Sequence, residues 1–344
     1  MKKKKMLLIF VAILLIIPLV GCAAEDTAAP PAAPPDAATP DTDPQPAPEP
    51  APEPGEDFII AFDMWTNQCP YCLMFANYIE YFAVQEGITA IITQADGDQM
   101  RQIANFESVL VQGAQVISGI FGDMYASLPI VDLARQHDAT IVATLTSIAD
   151  RGDGYEKYIY LGSENYDGGF LQGQWLAENL PQNAGIWYLG MSPTDQQGID
   201  RLNGMLDALA AAGRDDVQIV ASENTDNMMD RGVEVMETWL QAFPTIDAVV
   251  GSADVQIIGA IEVAKAAGRM DDIIWVGFDG QDMALESILA GEMSMTIFQD
   301  AQTQARALVD LFVRIRAGSD PTQEADILIP FRVITYDNVR DFIG

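Results

Sequence analysis

Residues 273–280 read Ile273-Ile274-Trp275-Val276-Gly277-Phe278-Asp279-Gly280. Six uncharged residues, rich in β-branched and aromatic types and closed by an Asp-Gly turn, have the composition of a strand buried on both faces. A helical stretch containing Leu285 follows, stops at Gly291, and leads into a second apolar run, Ser294–Phe298. The same alternation extends towards the amino terminus. Further strands are expected at Phe58–Met64, Ile88–Thr93, Gln115–Ile120, Thr140–Leu145, Lys157–Leu161, Gly185–Leu189, Val217–Ala221 and Ile246–Gly251, with a last one at Ile327–Thr335. Between the first two, Cys72, Phe75, Ala76, Ile79, Phe82 and Ala83 fall on one helical face, and Gly87 stops the helix. Such alternation predicts an α/β protein with parallel sheets covered by helices on both faces. Eleven strands exceed one comfortable open sheet, and 344 residues fit about two domains. Ligands of such sheets bind beyond the carboxyl ends of the strands.

Composition narrows the function. Eighteen basic side chains face fifty acidic ones, a net charge of −32 that repels phosphate backbones and argues against nucleic-acid binding. Three cysteines and one histidine, His137, leave little material for a zinc cage or for His-dependent catalysis. The sequence contains neither a Gly-x-x-x-x-Gly-Lys-Ser/Thr loop nor a Gly-x-Gly-x-x-Gly after a strand. No enzyme activity, cofactor or metal is expected.

The amino terminus reads as an export signal. Lys2–Lys5 precede an apolar run, Met6–Val20. Fifteen residues make about 22 Å of helix, short of the ~30 Å hydrocarbon thickness of a bilayer, which favours a secretory segment over a membrane span. The run ends in Leu19-Val20-Gly21-Cys22, which resembles the lipobox of bacterial lipoproteins, in which the cysteine is acylated and becomes the first mature residue. Residues 1–21 are thus expected to be removed and Cys22 to carry the lipid. Residues 22–56 are acidic and rich in Pro and Ala, holding eleven of the nineteen prolines, and read as an extended spacer.

Several segments of the body match one family in order and spacing: Val276-Gly277-Phe278-Asp279-Gly280; Met295-Thr296-Ile297-Phe298-Gln299; Phe243–Val250 followed by Ser252-Ala253-Asp254 and Gly259-Ala260; Gly162-Ser163-Glu164-Asn165 with Gly168-Gly169; and Arg201 with Gly204. Together they resemble the periplasmic sugar-binding proteins of ABC importers, of the ribose-binding-like type 1 class, over nearly all of residues 57–344. The resemblance implies two Rossmann-like lobes joined by three hinge crossovers and closing on a ligand. The first lobe would comprise 57–163 plus 300–326, and the second 164–299 plus 327–344.

Carried over position by position, the resemblance implies that Asp279 and Gln299 grasp sugar hydroxyls. It also places Tyr71 on an aromatic position of the cleft, with Cys72 on the other such position; Trp65, at the end of the first strand, faces the same crevice. The plain alternatives are a turn aspartate and an inter-lobe packing tryptophan. The sequence departs from the family elsewhere. Thr146-Ser147 stand where an Asp-Arg pair is usual, and Ala253 replaces an asparagine beside the retained Asp254. Asn227 replaces a cleft aromatic, and Ile199 an arginine for which Arg201, one face over, either substitutes or only braces its helix. Thr146, Ser147, Arg201, Asn227 and Asp254 complete the candidate set, and ribose itself is not the expected ligand.

Cys69-Pro70-Tyr71-Cys72, between a strand and a helix, also looks like the redox motif of glutaredoxins. Three readings stand: a local disulfide stiffening the cleft, ligand-facing or inert thiols, and redox or metal duty. The leading expectation for the chain is a monomeric, lipid-anchored extracytoplasmic protein that delivers a sugar or polyol to an ABC permease. The alternatives are a ligand-presenting module for a membrane receptor kinase and an extracytoplasmic thiol-disulfide oxidoreductase.

Overall fold

A computed structural model describes residues 58–193 and 195–343. The signal segment, Cys22 and the spacer lie outside the described residues.

In chain order the elements are β1 (Ile59–Met64), α1 (Pro70–Gln85), β2 (Thr89–Gln94), α2 (Gln99–Val111), β3 (Val116–Gly119), α3 (Leu128–His137), β4 (Thr140–Thr144), α4 (Ala149–Gly154) and β5 (Tyr158–Gly162). Then come α5 (Asn165–Asn179), β6 (Gly185–Gly190), α6 (Gln196–Ala211), β7 (Gln218–Asn224), α7 (Met229–Ala242), β8 (Ala248–Gly251), α8 (Asp254–Ala266), β9 (Ile274–Asp279), α9 (Asp282–Leu289) and β10 (Met295–Phe298). The chain ends with α10 (Ala301–Arg316), β11 (Ile327–Leu328) and β12 (Arg332–Thr335).

The strands form two sheets of the same order, β2-β1-β3-β4-β5-β11 and β7-β6-β8-β9-β10-β12. All pairings are parallel except that of β10 with β12. In each sheet the order reverses beside its first strand, so two switch points arise, between β1 and β3 and between β6 and β8. Each sheet is covered on both faces. Phe62, Phe75, Ile79 and Phe312 pack on one side of the first sheet, and Phe106, Phe121 and Ile130 on the other. The second sheet carries Trp239, Ile261 and Trp275 on one face and Tyr188, Met205 and Phe278 on the other.

Local sequence fixes the helices that frame the space between the sheets. Pro70 opens α1 at a position where its missing N–H costs nothing. Asp195 and Asp300 cap α6 and α10 by accepting from the backbone N–H groups of Gln197 and Thr303, both at 2.9 Å. The chain crosses between sheets after β5, after β10 and between β11 and β12.

The third crossing corrects the sequence reading. Ile327–Thr335 is not one strand of the second lobe: Ile327–Leu328 adds to the first sheet beside β5, and only Arg332–Thr335 joins the second. The interruption falls at Ile329-Pro330-Phe331. Ile329 spends its N–H on the Gly162 carbonyl at 2.8 Å, and Pro330 has none to give. The lobe boundary therefore lies after Leu328, and among the described residues the strands number twelve rather than eleven.

Helices α5 and α6 approach unusually closely. A Cβ on Gly204 would run into the backbone of Tyr166 and Phe170, and one on Gly169 into that of Arg201. Backbone cannot swing aside as a side chain can, so G204A must push α6 outwards at a cost of about 1–3 kcal/mol. The expected outcome is a melting temperature several degrees below wild type, read by differential scanning calorimetry. An unchanged value would contradict this packing.

Candidate functional site

A cavity of about 700 Å³ lies between the two sheets, at the carboxyl ends of their strands. That volume suits a small organic ligand.

The first-lobe wall begins where β1 ends. Trp65 leaves the strand end, and its ring lies against Gly122, in the loop after β3. Any side chain at 122 would occupy the space of that ring. Cys69 and Cys72 are joined by a disulfide, with Cα atoms 5.2 Å apart. The Cys69 sulfur also accepts from the Cys72 N–H at 3.1 Å, so the pair closes the first turn of α1. Between them Tyr71 is only 3 % exposed, and its hydroxyl donates to Gln304 Oε1 at 2.9 Å. Burial, reinforced by the charges of Asp279 and Asp300, holds that phenol well above its ordinary range, and it stays protonated. After β4, Thr146 Oγ1 accepts from the Phe121 N–H at 2.6 Å, and Ser147 lies 2.8 Å from the Tyr158 hydroxyl.

The second-lobe wall is organised by Arg201, 2 % exposed on α6. Its Nε donates to Asn165 Oδ1 at 2.9 Å and its Nη1 to the Ser252 carbonyl at 2.6 Å. Longer contacts of 3.4 Å reach Asp279 Oδ1 and Gln299 Oε1, while the guanidinium stacks 3.7 Å above the Phe278 ring. Arg201 thus braces the start of α5 and the strand ends, and it also lines the cavity. Asp279, 8 % exposed, has φ of 108°, a conformation that costs a non-glycine residue energy and that the following turn must hold. Burial pushes its carboxyl up to about 6, with Arg201 opposing. Asn227 lies in the cleft with its Oδ1 accepting from Ser252 at 3.4 Å.

Eight of the nine candidate residues therefore line one cavity: Trp65, Tyr71, Thr146, Ser147, Arg201, Asn227, Asp279 and Gln299. The ninth, Asp254, does not. It is fully buried behind the cleft wall, accepting from the Thr296 hydroxyl at 2.6 Å and the Gln281 N–H at 2.9 Å. As first residue of α8 it points back into the second sheet and pins the turn that carries Asp279. Burial and the neighbouring Asp279 charge raise its carboxyl well above the ordinary range. His137, by contrast, ends α3 on the surface.

Other cleft residues escaped the sequence reading, among them Tyr160, Asn165, Asp195, Arg151 and Asp326. Asn165 and Asp195 each sit within five residues of a strand's carboxyl end, a position the topology rule could have flagged. Arg151 and Asp326 could not be found that way. They meet in an ion pair only because α4 winds left-handed, with φ of 49–67° at residues 150–154, opposite the segment before β11.

A hydrogen-bond chain joins the cleft to the crossovers. Tyr71 donates to Gln304, Gln304 Nε2 donates to Ser163 Oγ at 2.9 Å, and Ser163 donates to the Ile329 carbonyl at 2.6 Å. Ser163 lies on the first crossover, Gln304 in the first turn of the helix after the second, and Ile329 on the third.

Two expectations follow from this geometry. Between about pH 4 and 6 the folded Asp279 retains a proton that the unfolded chain has already lost, so this group makes the fold less stable as pH rises through that window. The wild-type melting temperature minus that of ligand-free D279N should therefore be more favourable at pH 4.5 than at pH 7; a pH-independent difference would contradict the assignment. G122A should displace the Trp65 ring, seen as a shifted tryptophan emission spectrum, whereas an unchanged spectrum would refute the contact.

Comparison with known proteins agrees with the geometry. Residues 60–320 match the periplasmic binding protein domain family. A protein of Rhizobium meliloti named for rhizopine binding is 27 % identical over 77 % of this chain and 85 % of its own length. The ribose import binding protein of Bacillus subtilis (strain 168) is 27 % identical over 72 % of this chain and 78 % of its own. Among solved structures, an ABC transporter solute binding protein from Bacillus halodurans with bound myo-inositol is 25 % identical, with a TM-score of 0.75 over 83 % of this chain and 97 % of that one. With its two doubly wound lobes, three crossovers and inter-lobe cavity, the chain belongs to the periplasmic binding protein domain family and has the type 1 fold.

Proposed function

We propose that this protein captures a sugar or polyol outside the cytoplasm and delivers it to an ABC importer. The observation that carries the reading is the opposition, across one cavity, of hydroxyl-binding polar groups and flat aromatic faces. Asp279, Gln299 and Arg201 stand on the second-lobe side, and Trp65 and Tyr71 on the first. A carboxylate accepts two hydroxyl protons in charge-assisted bonds, while an aromatic ring covers the apolar C–H face of a sugar with little loss of rotamer freedom. Thr146, Ser147 and Asn227 add shorter polar groups where bulkier ones are usual in the family, giving this cleft its own ligand preference. The relatives named for ribose and the neighbour holding myo-inositol bind compact polyhydroxylated rings, which supports the ligand class.

No bond need be made or broken. A ligand touching both walls favours the closed arrangement of the lobes by its differential affinity, and the permease reads that arrangement. The chain acts as a monomer. Cys22 holds it to the membrane by its lipid.

A thermal-shift and calorimetric panel of pentoses, hexoses, polyols and cyclitols tests the reading. At least one should raise the melting temperature by several degrees, since only the folded state binds. D279A should weaken that ligand about 100-fold or more and W65A about tenfold, in line with lost charge-assisted and stacking contacts. A panel in which nothing binds would overturn the reading. Separately, C22S should move the exported protein from the membrane fraction to the soluble one.

A further inference from the structure

Most hydroxyl groups on the first-lobe wall of the cavity are already hydrogen-bonded within the protein. Tyr71 donates to Gln304, and the Tyr160 hydroxyl to the Leu145 and Ser163 carbonyls at 3.3 and 3.2 Å. Thr146 accepts from Phe121, and Ser147 lies between the Tyr158 hydroxyl and the Ile148 carbonyl. Three charged side chains of this lobe line the same cavity: Asp123, Arg151 and Asp326. Asp123 caps its own turn, accepting from the Tyr125 and Ala126 N–H groups. Arg151 and Asp326 instead meet each other.

Their pair is bidentate. Arg151 Nη1 donates to Asp326 Oδ2, and Nη2 to Oδ1 at 3.0 Å. Oδ1 also accepts from the Tyr160 N–H at 2.9 Å, and the guanidinium lies 5.6 Å from the centre of the Tyr158 ring. Among the described residues, Asp326 Oδ2 and Arg151 Nε make no further hydrogen bond. An acceptor and a donor are thus left together on the cavity wall. Burial works against the Asp326 charge, but Arg151 and the Tyr160 N–H outweigh it and hold the carboxyl below its usual range.

The backbone beneath Arg151 is strained. Asp150, Arg151 and Asp153 have φ of 49°, 54° and 50°, and a Cβ on Gly152 would lie 2.8 Å from the Tyr158 ring. Arg135 clamps this turn by donating to the Asp153 carbonyl at 2.9 Å. The Arg151 side chain is 58 % exposed, and an ion pair so exposed adds little to stability. What the strain achieves is placement, because it sets Arg151 beside Asp326 on the cavity wall.

We infer that Arg151 and Asp326 are a specificity-determining pair that binds two neighbouring hydroxyls of the ligand. One hydroxyl gives its proton to Asp326 Oδ2, and the oxygen of the other accepts from Arg151. A hydroxyl both donates and accepts, so a vicinal diol satisfies both members, whereas an anion is repelled by Asp326 and a cation by Arg151. The assignment rests on the proposed sugar or polyol reading and deepens it, with Asp279 and Gln299 taking other hydroxyls of the same molecule. Asp326 immediately precedes β11 and stands three residues before Ile329 on the third crossover, so a ligand held there sits close to a segment joining the lobes.

The test is calorimetry at pH 7 with D-ribose, D-glucose, D-glucitol and myo-inositol, each beside analogues lacking one hydroxyl at a time. D326N, whose amide oxygen still accepts from Tyr160, and R151Q should each weaken the tightest parent tenfold or more. Each should weaken by less than threefold the analogues that lack either of two adjacent hydroxyls. R151K keeps the charge but not the fork and should show the same pattern more mildly; melting temperatures within a few degrees of wild type report that the variants fold. A pair that only braces the turn would weaken parent and analogues alike. That result, or a parent indifferent to either substitution, would overturn the assignment and leave the sugar or polyol reading intact. Binding by none of these compounds to wild type would overturn the assignment together with the reading it rests on.

Discussion

A single buried guanidinium holds the site together. Arg201 arises on α6, yet its donors reach the start of α5, the end of β8, the end of β9 and the second crossover. Removing such a charge from water is expensive unless every donor finds an acceptor, and here four oxygens and the Phe278 ring serve. The cost explains the surroundings. The helix can bring the charge so deep only because Gly169 and Gly204 let α5 and α6 touch backbone to backbone. Asp279 tolerates a left-handed φ because Asp254, behind it, grips the next turn. Sequence features that look separate, small residues on two helices and two aspartates on two strands, share one electrostatic requirement.

The first lobe solves a mechanical problem instead. Its disulfide closes the turn carrying Tyr71, and the Tyr71 hydroxyl begins a run of hydrogen bonds through Gln304 and Ser163 to Ile329. Every member of that run is tied to a segment crossing between the sheets. A wall residue and the crossovers thus share one polar network, whose buried groups are costly to leave unpaired. The cysteine pair that resembles a redox motif sits at the head of this network, with its sulfur closing the first turn of α1.

Much of the fold is legible in the chain. Runs such as Ile274–Asp279 and Gly185–Gly190 are apolar on both faces and could be little other than interior parallel strands, and Gly87 and Gly291 mark stops that the structure keeps. The site residues that could be read were those at strand ends, where topology alone brings side chains to the crevice: Trp65, Thr146, Asp279, Gln299. Asp254 also follows a strand, but as the first residue of α8 it turns inward, and residue type does not distinguish the two directions. The short third crossing was hidden because Ile327–Thr335 is uniformly strand-like; only Pro330 and the pairing of Ile329 with Gly162 break it. Arg151 and Asp326, 175 residues apart, meet through a left-handed turn that no periodicity announces.

The central claim is that Asp279 and Gln299, oriented by Arg201, hold a ligand against Trp65 across the cleft. A crystal structure of the protein with its tightest-binding compound tests it most directly. The account predicts ligand oxygens about 2.6–3.2 Å from the Asp279 carboxylate and the Gln299 amide, with the Trp65 ring on the ligand's flat face. A ligand seated elsewhere, or one in the cleft that leaves Asp279 and Gln299 uncontacted, would contradict it.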